Sequence, residues 1–335
     1  MVCINEFLKL KDINDYEITK YVFFENNSII RDNNIIADKI FDIFDNSKSL
    51  NYDFSLNIDY YLFYLNLALK LNPNFSEVLY FKGQIFQELK YYSLAENNFL
   101  KIKENNDLYI DAQKNIFFIK KKESKFNEAE DLIINLIEKF PNNSSLRILL
   151  ADLYKSNKEY NKAINHFTIL VDSLNINIDL LWRIYYMRGI CYERLNNWKK
   201  AENDFLEALR INPNQPQVLN YLAYGWIEKN YNLDKSIEML KTAVKENPNS
   251  HYILDSLGWG YYKKNNFIKA LKFMEKVIDI APQEAISLDH LGDIYFSLGR
   301  KREAYFMWVQ ALDLSVPEDN ISENVKNKIN AYNEK

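Results

Sequence analysis

The sequence contains few of the residues that build reactive or cross-linked sites. Its 335 residues include two cysteines, Cys3 and Cys191, which lie far apart and suggest no disulfide framework. It has three histidines and no His-Glu-x-x-His, Cys-x-x-Cys or glycine-rich phosphate loop. The tightest polar group, Asp289, His290 and Asp293, would need ligands from other helices to hold a metal ion. We therefore expect a protein that is not an enzyme, with no catalytic residue, metal or cofactor.

Glycine and proline are also scarce, and neither charge predominates. Seven residues of each are too few for a chain rich in turns and strands, and no alternating apolar pattern competes with helical spacing. Hydrophobic residues make up 47% of the chain, which indicates a sizeable core. The 42 basic and 46 acidic residues give a net charge of −4 and no basic face of the kind that nucleic acid requires. We expect an all-α protein that does not bind nucleic acid.

Long apolar runs are absent too. The longest, residues 60–71, is about 12 residues and is interrupted by Asn66, which is too short to span a bilayer. The first dozen residues contain Glu6, Lys9, Lys11 and Asp12 and no secretory apolar region. These features predict a cytoplasmic location. If the N-terminus given is incomplete, a periplasmic or membrane-associated location is expected instead. No membrane span is expected.

What the sequence does contain is a regular repeat. Small residues recur at spacings of 34, 34, 38, 35, 34 and 34, at Ala95, Ala129, Ala163, Ala201, Ser236, Ala270 and Ala304. Large apolar residues follow four positions later, at Phe99, Ile133, Phe167, Phe205, Leu240, Met274 and Trp308. This spacing, continued by an apolar residue three positions further on, places one stripe on each helix. Twelve positions before most of the small residues stands another small one, such as Gly258, which predicts closely packed helix pairs.

These landmarks resemble the tetratricopeptide repeat (TPR) family. Its loose pattern is carried here by Leu257, Gly258, Tyr261, Ala270, Met274, Val277 and Pro282, and again by Leu291, Gly292, Tyr295, Ala304, Trp308 and Ala311. The wording of the later repeats, such as DSLGWGYY at 255–262, is similar to a group of bacterial TPR proteins of unsettled function. The resemblance covers about residues 60–317. It implies a right-handed superhelical α-solenoid of helix-turn-helix repeats.

The repeat phase predicts the domain organisation. Residues 1–75 are expected to form degenerate N-terminal helices with a loop at 26–34, and 318–335 a C-terminal capping helix. Seven repeats are expected at 76–109, 110–143, 144–181, 182–215, 216–250, 251–284 and 285–317. The third repeat carries about four extra residues near 175–179, expected in the connection after its second helix. The fifth has one extra residue at 230–234, expected in the turn between its two helices.

The resemblance also implies a groove lined by the first helix of each repeat. It places there Tyr186, Asn220, Tyr224, Tyr252, Asp255, Trp259, Tyr262, Asp289, Asp293 and Phe296. Asn220, Asp255 and Asp289 are 35 and 34 residues apart and should form a polar ladder, one residue per repeat. We expect this ladder to be accessible to solvent, so that Asp255→Asn and Asp289→Asn leave the fold intact. The alternative, that these groups satisfy the fold itself, is equally open.

These observations predict a non-catalytic interaction scaffold. A protein or peptide partner would lie in the groove as an extended segment or helix, and basic or aromatic side chains would suit its carboxylates and rings. One alternative is a structural subunit of a larger, envelope-associated assembly, and another is the targeting half of an enzyme whose catalytic domain lies elsewhere. Self-association is left open.

Overall fold

The computed structural model describes residues 24–25, 28–29, 32–49, 58–173 and 177–333. Contacts divide the chain into a first unit, Met1–Leu146, and a second unit, Arg147–Lys335. Cys3 and the first dozen residues, on which the expectation about a secretory signal depends, lie outside the described residues. No helix among the described residues is both long enough and apolar enough to cross a membrane.

Helices account for nearly all of the described structure. In the first unit they are α1 Asn33–Ser49, α2 Ile58–Leu71, α3 Ser76–Glu88, α4 Tyr92–Phe99, α5 Tyr109–Lys122 and α6 Phe126–Lys139, and α7 Ser144–Ser156 crosses the boundary. The second unit continues with α8 Tyr160–Val171, α9 Ile178–Arg194, α10 Trp198–Ile211, α11 Pro216–Glu228, α12 Leu233–Glu246, α13 His251–Lys263, α14 Phe267–Ile280, α15 Ala285–Ser297, α16 Lys301–Leu314, a 3-10 turn Pro317–Asp319 and α17 Ser322–Asn333. The all-α prediction is confirmed.

The N-terminal region contains a small departure from the prediction. Two-residue strands, β1 Phe24–Glu25 and β2 Ser28–Ile29, pair antiparallel, with Phe24 opposite Ile29. Part of the stretch expected as a loop at 26–34 is therefore a strand, and its end, from Asn33 onward, is already helical. The hairpin is too short to change the fold class.

The repeated positions form the core, as the helical spacing predicts. The seven small residues from Ala95 to Ala304 are completely buried, and the large residues four positions later are no more than 3% exposed. The third position of each stripe, from Ile102 to Ala311, is also buried. Because i, i+4 and i+7 share one helix face, the second helices turn a continuous apolar stripe inward, except that α4 ends at Phe99, before Ile102.

Two irregularities in the repeat take different forms. The turn between α11 and α12 spans residues 229–232, one residue more than the other turns of this kind, which confirms the predicted single insertion. The longer insertion near 175–179 follows the prediction in part, because six residues, 172–177, separate α8 from α9, whereas the connections at 140–143, 212–215, 247–250 and 281–284 have four. Ile178 and Asp179 belong to α9, whose N-terminus is capped by the Asn177 side chain accepting from the Asp179 N–H at 2.9 Å. Helix capping thus extends α9 into the expected connection.

The turns within the helix pairs share one backbone device that sequence analysis missed. Each turn has a residue with positive φ at the equivalent position, and the turn between α11 and α12 has a second one, Asn232. The equivalent residues are Lys90, Ser124, Lys158, Asn196, Asn230, Asn265 and Gly299. In every case its N–H and that of the next residue bond back to the end of the preceding helix, as when Ser124 N donates to Lys121 O and Lys125 N to Lys120 O. This is the Schellman closure, which glycine suits best because it has no Cβ.

The non-glycine turns therefore offer a test of backbone strain. Ser124, with φ of 60°, should gain about 0.5–1 kcal/mol of unfolding free energy on replacement by glycine, since relief of left-handed strain exceeds the added chain entropy. Gly299→Ala should lower the free energy of unfolding by a similar amount, because φ there is 78°, a value that alanine rarely adopts. A Cβ at this position would meet no atom within 4 Å, so a steric clash does not add to the backbone strain. Urea unfolding of both variants measures the effects. Changes of the same sign in the two variants would contradict this account.

Candidate functional site

The second unit contains a cavity of about 970 Å³ between its helices. Its lining comes mainly from α9, α11, α13 and the start of α15. The residues are Tyr186, Glu193, Arg194, Asn196, Trp198, Gln217, Asn220, Tyr221, Tyr224, Gly225, Glu228, Lys229, His251, Tyr252, Asp255, Ser256, Glu284, Ile286, Ser287 and Asp319. Tyrosine, tryptophan and carboxylate side chains make up half of this list, so the cavity combines aromatic walls with acceptor groups.

Five of the ten sequence-predicted groove residues line this cavity, namely Tyr186, Asn220, Tyr224, Tyr252 and Asp255. The other five, Trp259, Tyr262, Asp289, Asp293 and Phe296, lie outside it. The division follows position along the helices, because the cavity takes the first half of α13 and only the first turn of α15. Of the later positions, Trp259 and Asp289 are buried, whereas Phe296 is 41% exposed.

Sequence reasoning missed lining residues that helical periodicity could have found. Glu228 lies four residues after Tyr224 and eight after Asn220, on the same face of α11. Glu193 lies seven residues after Tyr186 on α9. Trp198 was missed for another reason, since it begins a second helix, α10, whereas the groove was assigned to first helices alone.

Aromatic rings form much of the wall. Tyr186 and Tyr221, on successive first helices, meet edge to face with ring centroids 5.5 Å apart. Tyr252 is 41% exposed and presents its ring at the cavity. Burial raises the pKa of the Tyr224 hydroxyl, and the nearby carboxylates of Glu228, Asp255 and Glu193 raise it further. Tyr224 therefore stays a neutral hydroxyl in acidic surroundings.

Asn220 is the least satisfied polar residue of the lining. It is 8% exposed, and its Oδ1 accepts no hydrogen bond within the described part of the chain. A second lining acceptor, Oε2 of Glu193, also lacks a hydrogen bond among the described residues. Buried acceptors without donors are uncommon in folded proteins, because each loses its hydration without replacement. Both atoms belong to residues that line the cavity.

Asp255 differs from the expectation of a solvent-accessible ladder. Its carboxylate oxygens lie 3.1 and 3.2 Å from Nδ1 of His290 on α15, and both residues are buried. Burial alone lowers the pKa of His290, but Asp255, with Asp289 and Asp293, more than offsets this and raises it above its ordinary value. Asp255 therefore joins two neighbouring helix pairs as half of a buried ion pair.

An aromatic stack covers this ion pair. The ring of Trp259 lies 3.9 Å from that of His290 and 4.6 Å from that of Tyr262, nearly parallel to both. Its indole N–H donates to Oε1 of Glu228 at 2.6 Å. Trp259 and Tyr262, expected in the groove, thus pack against the His290 imidazole. Trp259, which was expected to line the groove, does not line the cavity. Its hydrogen bond also occupies Oε1 of Glu228, which does line the cavity.

The remaining predicted residues interact with the end of the chain. Asp289 is buried, and Asp289 and Asp293 both bind the Lys328 ammonium of α17, at 2.7 and 2.7 Å. Burial lowers the pKa of Lys328, yet Asp293 and Asp289 outweigh it and raise the pKa overall. Asp293 also accepts the Trp308 indole N–H at 3.0 Å, beside the half-exposed ring of Phe296. The expectation that Asp289 faces solvent is wrong.

The three ladder residues, Asn220, Asp255 and Asp289, therefore have different roles. Asp255 and Asp289 satisfy contacts between neighbouring helices, as the structural alternative expected, whereas Asn220 retains an acceptor at the cavity wall. Ser256, next to Asp255, donates its hydroxyl to the Tyr252 carbonyl and not to Asn220. The described residues include no group of three or more His, Cys, Asp or Glu side chains placed to hold a metal ion.

Comparisons with known proteins identify the repeats. Tetratricopeptide repeat models match residues 182–215 and 252–284. A TPR repeat-containing protein of Methanocaldococcus jannaschii is 36% identical over 80 residues, which are 24% of this chain and 13% of that protein. The chain thus matches only a small part of that curated relative.

Solved structures of two TPR proteins align with this chain. The crystal structure of a tetratricopeptide repeat protein from Parabacteroides merdae aligns with a TM-score of 0.58 and 20% identity, over 77% of this chain and 98% of that one. YrrB, whose structure is titled as a TPR protein with an unusual peptide-binding site, aligns with a TM-score of 0.44 and 20% identity, over 58% of this chain and 97% of that one. The Parabacteroides merdae structure shares the all-α helix-pair fold.

Proposed function

Because this chain is a tetratricopeptide repeat protein, we propose that it is an interaction scaffold that binds a short segment of a partner protein. The segment lies in the cavity formed by α9, α11, α13 and α15 of the second unit. These residues need not catalyse a reaction on the partner. They provide shape, aromatic surface and hydrogen-bond acceptors.

The observation that carries the proposal is an aromatic cavity whose lining includes Asn220, a residue with a buried Oδ1 that accepts no hydrogen bond among the described residues. A buried acceptor gains most from a ligand that supplies an N–H or O–H donor, since its desolvation has already occurred. Tyrosine rings provide large, rigid contact surfaces at low entropic cost and are common at binding hot spots. Tyr186, Tyr221 and Tyr252 supply such surfaces here.

An extended segment suits this cavity better than a helix. The backbone N–H groups of a helix are hydrogen-bonded internally, whereas those of an extended segment are free to reach acceptors on the wall. The segment's side chains can also enter between the rings. We therefore favour the extended mode over the helical one.

Selection from a random peptide display library tests the proposal directly. We expect the full chain to enrich peptides, and the Tyr252→Ala variant to bind an enriched peptide at least about tenfold more weakly, as loss of an aromatic anchor predicts. Tyr91→Ala is the matched control, because Tyr91 is 58% exposed, belongs to the first unit and does not line the cavity. Calorimetry measures both affinities.

Two results would contradict the proposal. One is the failure of the folded chain to enrich any peptide over repeated selections. The other is an equal loss of affinity in the Tyr252→Ala and Tyr91→Ala variants, which would place the binding surface elsewhere.

A further inference from the structure

The acceptors around the cavity show which group a bound segment should supply. Of the carboxylates near Tyr224, Asp255 is paired with His290, and Glu228 accepts the Trp259 indole N–H. Glu193 remains, with Oε2 free of any hydrogen bond among the described residues, together with Oδ1 of Asn220. A carboxylate oxygen and an amide oxygen both require donors, and the carboxylate favours a cationic one.

The cavity's own cations do not satisfy these acceptors. Nε of Arg194 lies 3.5 Å from Oε2 of Glu193, without forming a hydrogen bond, and the Arg194 side chain is mostly exposed. Adjacent exposed pairs of this kind contribute little. The Lys229 ammonium lies 5.4 Å from the centre of the Trp198 ring. Both oxygens are almost fully covered, so an outside donor reaches them once these side chains turn toward the cavity, and it then meets acceptors without a hydrogen bond among the described residues.

The electrostatic surroundings of these acceptors are negative. Glu193 on α9, Glu228 on α11 and Asp255 on α13 all act on the Tyr224 hydroxyl, as the direction of its pKa shift indicates after the larger effect of burial. Asn220 lies one turn before Tyr224 on the same face of α11. Asp255 is offset by its partner His290, so a positive group entering between α9 and α11 is attracted mainly by the carboxylates of Glu193 and Glu228 on those two helices.

We propose that the cavity binds an arginine side chain of the partner segment, with the guanidinium donating to Glu193 and Asn220 against the tyrosine rings. This inference rests on the proposed function, and it names the residue type that the cavity selects. Guanidinium is planar, carries five N–H donors and stacks on aromatic faces, so one group can serve both acceptors and the rings. A lysine ammonium is more strongly hydrated and cannot stack in this way.

The ligand side of the test uses citrulline, which replaces the guanidinium by a neutral urea of nearly the same shape. In a peptide enriched by the full chain, one arginine replaced by citrulline should weaken binding about 10- to 100-fold, as expected for charge-assisted hydrogen bonds. Replacement of the same arginine by lysine should weaken binding at least several-fold. Calorimetric titration of the full chain gives the dissociation constants.

The protein side locates the arginine. Glu193→Gln removes the charge and keeps the shape, so it should weaken the arginine peptide about tenfold or more and leave the citrulline peptide unchanged. Glu238→Gln on α12, a largely exposed glutamate outside the cavity, is the matched control and should change neither. Asn220→Leu should weaken the arginine peptide without lowering the thermal midpoint, because its Oδ1 has no hydrogen-bond donor among the described residues.

Each contrary result has a distinct meaning. Enriched peptides in which no citrulline replacement matters would overturn the arginine site and leave peptide binding intact. Equal affinity for arginine and lysine would overturn the guanidinium assignment. An arginine peptide that binds Glu193→Gln as tightly as the parent would overturn the location. Failure to enrich any peptide would overturn the proposed function and this inference together.

Discussion

Gly292→Leu is expected to lower the free energy of unfolding by about 3 kcal/mol or more. A Cβ at Gly292 would lie 2.5 Å from Cδ1 and Nε1 of Trp308 and 3.2 Å from the Ala304 carbonyl oxygen. The indole cannot easily move away, because it is buried and donates to Asp293. The glycine thus marks a close approach of α15 and α16 that no side chain can enter.

Gly258 provides a matched comparison at the same position of the preceding helix pair. A Cβ there would meet Sδ and Cγ of Met274 at 2.8 and 3.1 Å, and methionine is unbranched and flexible. Gly258→Leu should still cost about 3 kcal/mol, but Gly258→Ala should cost clearly less than Gly292→Ala. Urea unfolding of the four variants measures this order. Unchanged midpoints would contradict the phase of the helix pairs.

Asp255→Asn should lower the free energy of unfolding by about 3–5 kcal/mol at a pH where His290 is charged. The substitution preserves shape and leaves a buried imidazolium without its counter-charge. His290→Gln in the same chain should restore part of the loss, since no charge then remains buried without a partner. This prediction replaces the earlier expectation that removal of the aspartate charges leaves the fold unaffected.

The same ion pair predicts how stability depends on pH. The pKa of His290 is raised in the folded state above its ordinary value of 6.5, despite burial, by Asp255 and then Asp289 and Asp293. Its contribution is therefore fully present below pH 6.5 and is lost as the pH rises through the folded-state pKa. Urea unfolding from pH 6 upward should show this decline in the parent chain and not in His290→Gln. Identical profiles would contradict a charged His290.

The candidate site was only partly predictable from helix positions. A residue's helix face follows from its spacing, and Tyr186, Asn220, Tyr224 and Tyr252, which the repeat spacing assigns to one groove, all line one cavity. The spacing gives no information about what the facing helix presents. Trp259 therefore could not be separated from Tyr252 by sequence alone, although it is buried against His290 and Tyr252 is half exposed.

The sequence by itself determined the helix-pair fold and its core. Small and large residues at i, i+4 and i+7 specify a buried stripe through helix geometry alone, and all seven copies from Ala95 to Ala304 are buried. Only the tertiary structure decided which polar groups are hydrogen-bonded or ion-paired within the protein. Asp255 meets His290 35 residues away and Asp289 meets Lys328 39 residues away, while Asn220 meets no donor among the described residues. Pairing across helices depends on their relative rotation and offset, which no spacing within one helix encodes.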